Sequence, residues 1–212
     1  MSGPAATPPV FDDAFRDKLA DLFAWRRDVR RFRREPVPEA LLASLLDLVP
    51  LSPSVGHAQP WRWQRIDDPG QRHAVQASFS RCNAAALARY QGERAALYAR
   101  LKLEGLCEAP IQFAVFCDHA TQRGDGIGRQ TMPEMLDYSV VAAITQVWLA
   151  ARAHGLGLGW VSILDPAEIA AIVKAPPSWK LIGYLCLGYP VDEHVDPELV
   201  RAGWEGDARP AT

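Results

Sequence analysis

Gly155-Leu156-Gly157-Leu158-Gly159-Trp160-Val161-Ser162 is the stretch on which the fold class turns, because of what stands on either side of it. Before it runs Met132 to His154, the most strongly helical segment of the chain and apolar on most of its faces. Gly155 is placed to end that helix in a left-handed cap. After the glycines, Leu158 to Leu164 reads as a strand. The order is helix, glycines, strand. A dinucleotide-binding turn needs strand, glycines, helix, so these glycines do not open a Rossmann unit. They serve either as a cap and tight turn, or as a place where a flat ligand approaches the backbone without side chains in the way.

Outward from that stretch, Asp165-Pro166-Ala167-Glu168 is an N-cap, a first-turn proline and an acidic third residue, opening a short helix to Val173. Lys180 to Leu187 is a last strand, closed by Gly188-Tyr189-Pro190. Upstream, Ile111 to Cys117 is a short apolar run expected to be a buried strand, and Trp61 to Ile66 alternates as a strand with one buried face. Phe11, Phe15, Leu19, Leu22 and Phe23 recur at helical spacing behind Asp12 and Asp13, and a second helix starts near Pro38 and carries Leu41 to Val49. Asp68 to Glu108 is weakly helical with a break at Gly92, and Thr121 to Thr131 is a glycine-containing loop. Helices and strands do not alternate regularly, so the expected class is α+β. The nearly all-apolar helix at Met132 to His154 is hard to bury in one small subunit, which points to a homodimer. Residues 1–10 read as a flexible arm and residues 191–212 as an extended polar arm.

With 212 residues, 49% hydrophobic and 23% charged, the chain has the length of one domain and enough apolar material for a core. A net charge of −2 argues against a nucleic-acid binder working through a broad basic field. No apolar run approaches a membrane span, and no secretory leader is visible, so a cytoplasmic location is expected. Cys82, Cys107, Cys117 and Cys186 form no CxxC pair, and the five histidines are scattered, so neither a disulfide framework nor a metal centre is expected. Cys107, Cys117 and Cys186 lie in apolar sequence and are expected to be buried.

The densest chemical feature is Arg26 to Arg34, where six of nine residues are arginine. Outside that window 17 basic residues face 24 acidic ones, a net of −7, so the positive charge is a pocket-sized cluster. Guanidinium forks match phosphate oxygens. The plainer reading is a solvated run with its stems packed on the surface, and Asp28 within it is then a salt-bridge partner. In the loop Ser52-Pro-Ser-Val-Gly-His-Ala-Gln-Pro-Trp61, Gln59 offers a donor and an acceptor suited to a heteroaromatic ring edge, or makes an ordinary turn. Ser162 stands in no GxSxG elbow, so no hydrolytic triad can be built on it.

Together these segments resemble the nitroreductase-like FMN flavoprotein family. Arg26-Arg-Asp-Val-Arg-Arg-Phe32 is similar to its RRSxRxF phosphate-binding segment, and Ser52 to Trp61 to its APSxxNxQPW loop. Gly155-Leu-Gly-Leu-Gly-Trp160 is similar to its GLGxxW segment, and Leu187 to Pro190 to its LGYP. The resemblance implies a central, mostly antiparallel sheet flanked by helices over residues 11–190, a domain-swapped homodimer with FMN at the subunit interface, and a lid at about residues 90–131. Asp28 replaces the usual serine, Ser162 ends the GLGLGWVS run, and Lys102-Leu-Glu-Gly-Leu106 precedes Glu108-Ala-Pro110. These departures resemble a branch in which reduced FMN is the substrate.

In that branch the resemblance implies oxygen-dependent fragmentation of reduced FMN to 5,6-dimethylbenzimidazole, the lower ligand of vitamin B12, and erythrose 4-phosphate, with O2 as co-substrate and a flavin reductase as partner. Arg26, Arg27 and Arg30 would hold the phosphate and pyrimidine edge, with Val29 beside them. Asp28 would be the acid/base, and Ser162 would act near flavin N5 and C4a. Ser54, Gln59 and Gly159 would cradle the flavin, Leu101 would pack on the ring from the lid, and Arg201 would reach the phosphate. The alternative is an NAD(P)H-dependent nitro or quinone reductase that recycles FMN. A protein that only stores flavin, and a nucleic-acid role for the arginines, are further readings.

Overall fold

The computed structural model describes residues 7–207, and the first six residues of the expected N-terminal arm lie outside them. Four strands form one fully antiparallel sheet: β1 (Trp61–Arg65), β2 (Ile111–Asp118), β3 (Gly157–Val161) and β4 (Trp179–Gly188), in the order β1-β2-β4-β3. β2 lies inside the sheet and is buried along its whole length except Asp118. Its side chains alternate between two cores. Ile111, Phe113, Val115 and Cys117 face α5 (Met135–Ala153) and α2 (Glu39–Leu46), while Ala114 and Phe116 face the other layer, built on α3 (Pro69–Leu87) and α6 (Pro166–Ile172). The fold is therefore α+β, with helices on both faces of the sheet.

The remaining helices are α1 (Asp13–Trp25), α4 (Gly92–Tyr98) and α7 (Glu198–Arg201). An aspartate side chain caps the start of three helices, α1, α3 and α6. Asp12 accepts from the Phe15 amide at 2.8 Å, Asp68 from Gln71, and Asp165 from Ala167 and Glu168.

Several expectations are corrected. The arm after Pro190 is not wholly extended, since it carries α7. β3 ends at Val161, so Ser162 lies in the exposed turn beyond it. β1 does not bury one face. All five of its residues are half-buried, because it is an edge strand with a neighbour on one side only. Residues 111–118 of the expected lid are β2, an interior strand that cannot open without unmaking the sheet. Cys107 is exposed, because it follows the last buried residue of a turn rather than lying in a strand; Cys117 and Cys186 are buried as expected. α1 keeps its apolar stripe uncovered in the protomer, with Phe15, Phe23 and Trp25 exposed.

The amino end of α5 is fastened to the sheet by charge. Asp137 accepts from Lys180 of β4 at 2.6 Å and lies 2.8 Å from His119, just past β2. Burial disfavours its charge, but these two partners outweigh burial and hold its pKa below the ordinary value. The Cys117 thiol beside it is pushed up to about 12, mainly by burial and then by the Asp137 charge. Cys117, His119 and Asp137 offer ligand atoms within 4.8 Å of one another. The Lys180 ammonium already supplies the cation that Asp137 requires, so the trio is accounted for as an ion-paired fastening.

At the opposite end of the sheet the arginine segment docks on the edge of β3. The Val29 amide donates to Leu158 O at 3.1 Å, and the Arg33 amide to Tyr189 O at 2.8 Å. Isolated bridges pair Asp28 with Leu158 and Phe32 with Pro190. Two glycines make the fit possible: a Cβ on Gly159 would stand 2.1 Å from the Val29 carbonyl oxygen, and one on Gly157 would stand 2.6 Å from the Val29 side chain.

Two predictions follow from these seams. Gly159→Ala pushes backbone against backbone and lowers stability by about 2–3 kcal/mol in urea titration; an unchanged midpoint would show that the seam yields freely. Because the Asp137 pKa is lowered on folding, its contribution is present above the 3.8 of a free aspartate and is lost as the pH falls below it. Asp137→Asn should therefore be less stable at neutral pH and show a shallower loss of stability between about pH 4 and 2 than the parent.

Candidate functional site

Asp28 is the centre of the arginine segment and is doubly held. Its Oδ1 accepts from the Trp160 amide at 2.8 Å, an outward-pointing donor of the β3 edge, and its Oδ2 accepts from Arg30 Nε at 2.8 Å. Its side chain retains 30% exposure, so the carboxylate is oriented by the protein and still reachable. The plainer reading of Asp28 is met, since it is the salt-bridge partner of a neighbouring arginine, and it keeps a reachable face at the sheet edge. Arg30, 13% exposed, also donates from Nη1 to Lys102 O at 3.0 Å.

The other arginines divide. Arg26 stacks over Trp148 at 4.7 Å, and Arg27 donates to Val195 O at 2.7 Å. Arg31 pairs with Glu198 at 2.5 Å, and Arg152 forks onto Glu193 at 2.6 and 3.0 Å. Arg152 holds the Glu193 carboxyl below the usual carboxylate range. Arg27, Arg31, Arg152 and Arg201 line one partly open cleft between the arginine segment, the end of α5 and the C-terminal arm. The arm's carboxylates occupy the guanidinium forks there, as the oxygens of a phosphate could. Asp192, Glu193, Asp196 and Glu198 line the same cleft, so the guanidiniums suit the terminal phosphate of a flavin mononucleotide only where it displaces the arm's carboxylates from them. Arg31 and Arg152 were not singled out from the sequence; the signal available for Arg152 was a cation in the last turn of a helix that a glycine ends.

Ser54 and Gln59 are engaged with their own loop. The Gln59 amide donates to Ser54 Oγ at 3.1 Å, and Gln59 Nε2 to Pro50 O at 3.1 Å. Gln59 has a φ of 47°, which fixes the turn into β1. Gly159 does make room for a close approach, and what approaches is the Val29 backbone. Leu101 is half-buried just beyond α4, its amide bonded to Tyr98 O, and Arg201 is exposed at the end of α7.

The structure brings Arg26, Arg27, Asp28, Val29, Arg30, Gly159 and Arg201 to one corner of the sheet, where β3 is the edge, and Ser162 lies one residue past the end of that strand. It does not bring Ser54 and Gln59 there. They precede β1, the opposite edge, at the end where Trp61 pairs with Cys117 and Cys117 with Lys180. Asp28 sits beside Leu158, which pairs with Leu187 and through it with Ile111, at the other end. Three strand spacings across and about six residues along put the two groups roughly 25 Å apart.

Comparison with known proteins bears on this corner. The Nitroreductase family model matches residues 23–189. A protein of Rhodospirillum rubrum named 5,6-dimethylbenzimidazole synthase is 56% identical, covering 94% of this chain and 94% of its own length. One of the same name from Rhodobacter capsulatus is 46% identical, over 92% and 94%. An iodotyrosine deiodinase crystallised with FMN and 3-iodo-L-tyrosine superposes with a TM-score of 0.69 at 26% identity, over 83% of this chain and 91% of that one. The matched region runs from the end of α1 through the end of β4 and holds the whole sheet, the arginine segment and the glycine seam, so the chain belongs to the nitroreductase family.

Proposed function

We propose that the protein is a 5,6-dimethylbenzimidazole synthase: it takes reduced FMN and O2 as substrates and releases 5,6-dimethylbenzimidazole, erythrose 4-phosphate and the four remaining carbons of the pyrimidine ring as a separate oxidised fragment, ribityl C1′ becoming C2 of the benzimidazole. The observation that carries the reading is Asp28, a carboxylate oriented from both oxygens and still reachable within an arginine segment on a glycine seam. The names of the relatives that share 56% and 46% of its residues support the same reaction.

Arg27, Arg31, Arg152 and Arg201 hold the phosphate, and Arg26 stacks on Trp148 at the wall of the same cleft. Bound reduced flavin supplies the electrons that react with oxygen. Positive charge around it favours its anionic form. Asp28 moves protons during ring cleavage, a task that a serine in its place would do poorly near neutral pH. Ser162, exposed just past β3, donates a hydrogen bond to the ring from the same corner. Leu101 covers it from beyond α4.

The separation of Ser54 and Gln59 from Asp28 supports a site shared by two copies of the chain, each giving the arginine corner to one flavin and the Ser54–Gln59 loop to the other. The exposed stripe of α1 and the exposed Tyr138 and Val141 of α5 provide apolar surface for that association. Among the described residues no helix is long and apolar enough to cross a membrane. A flavin reductase delivers the reduced substrate.

Aerobic incubation of the protein with chemically reduced FMN should yield 5,6-dimethylbenzimidazole by mass spectrometry. Intact FMN as the sole product would overturn the reading and favour the nitro or quinone reductase, which NADH-driven nitroaromatic reduction would then reveal. Asp28→Asn should lower product formation by about 100-fold or more while FMN still binds; flavin storage alone predicts no turnover in either protein. Ser162→Gly should bind FMN normally and return more of it unfragmented.

A further inference from the structure

Arg26 differs from its neighbours in what holds it. Arg30 pairs with Asp28, Arg31 with Glu198, and Arg152 across the cleft with Glu193. Among the described residues no carboxylate pairs with Arg26, and no oxygen accepts from its guanidinium. Its partner is an aromatic face, with Cζ 4.7 Å from the centre of the Trp148 ring. A stacked guanidinium uses its flat face, and its N–H groups, which lie in the plane, stay available to a bidentate acceptor such as a phosphate. The same indole has a second grip, since its Nε1 donates to Arg27 O at 3.2 Å. Trp148 therefore meets by face and by edge the two residues that come immediately before Asp28. Its ring also stands 6.4 Å from that of Trp160, whose amide donates to Asp28 Oδ1. The support beneath it is firm: Trp148 is half-buried against the main core, near the end of α5. It precedes Arg152 by one helical turn, so both side chains reach the cleft.

We infer that Trp148 is a positioning residue for phosphate recognition: it holds the Arg26 guanidinium at the wall of the cleft with its donors unspent, and so sets how strongly a flavin with a terminal phosphate is preferred to one without. This rests on the proposed placement of the flavin phosphate at the arginine corner. Arg31 and Arg152 must release the arm's carboxylates before they can take a phosphate, whereas Arg26 has none to release. An arginine side chain loses much rotamer freedom when it is fixed on a ligand, and a platform that fixes it beforehand removes that cost from binding. A phenylalanine at position 148 would keep the face and lose the N–H on Arg27 O. A leucine would lose both and leave the guanidinium to swing in solvent.

The test is equilibrium binding of oxidised FMN and of riboflavin to the full-length protein, read as the ratio of the two affinities. The parent should prefer FMN by about 100-fold or more. Trp148→Leu should lower FMN affinity by about tenfold while riboflavin affinity stays within about twofold, and Trp148→Phe should lose no more than about threefold of the ratio. Arg26→Gln, which leaves the core untouched, should cost the ratio about tenfold by itself. Adding Trp148→Leu to Arg26→Gln should then cost no more than about a further twofold, because the two side chains act as one unit. Equal weakening of FMN and riboflavin in Trp148→Leu would make the indole a structural support alone and overturn the inference. An unchanged ratio in Trp148→Leu or in Arg26→Gln, or additive losses in the double variant, overturns it as well. A parent that binds riboflavin as tightly as FMN overturns the placement of the phosphate itself, a failure seen before any variant is made.

Discussion

The site depends on one close approach: the backbone of Arg26–Phe32 lies against the edge of β3, and it can do so only because Gly157 and Gly159 have no Cβ. An edge strand presents unpaired amides and carbonyls, and a protein must cover them. Here the arginine segment covers them, with the Val29 amide on Leu158 O and the Asp28 carboxylate on the Trp160 amide. Because the carboxylate completes the sheet edge, it is oriented before any ligand arrives, and because it is not buried it keeps a reachable face.

Around that seam the cations have distinct tasks although they are adjacent in sequence. Arg30 points inward and joins two backbone segments through Asp28. Arg27 and Arg31 point toward the cavity that Arg152 and Arg201 complete. Arg26 stacks on Trp148, where its stem and the indole protect each other from water. The C-terminal arm lies across the same cations. Trp204 packs edge-on against Tyr90 and Tyr98 and under Arg94 at 3.7 Å, so the arm also reaches α4.

Much of the fold was legible in the chain. The strong local signals held: Asp12 and Asp165 start helices, the apolar run at Ile111 is an interior strand, and Gly155 ends α5 at a φ of 73°. The errors fall where the answer lies in a neighbour rather than in the segment. The alternation at Trp61–Arg65 gives no clean buried face because the strand is at an edge. The stripe of α1 looks like a core-facing surface and stays open in the protomer. Cys107 sits among apolar letters on a turn that leaves it exposed.

The sequence by itself determined the class of the fold, the positive cluster and the choice of aspartate at position 28, because composition, capping residues and charge density are properties of adjacent residues. Only the tertiary structure decided what those residues face. The glycines of Gly155–Gly159 could have served a ligand or a turn, and packing shows that they admit the Val29 backbone. The arginines could have been one surface, and the fold divides them between a cleft and an inward pairing of Arg30 with Asp28 and the Lys102 carbonyl. Ser54 and Gln59 read in the sequence as companions of Asp28, yet the antiparallel order β1-β2-β4-β3 places them at the far corner. Strand order and register are set by which apolar faces bury one another across the whole chain, and no local window carries that information.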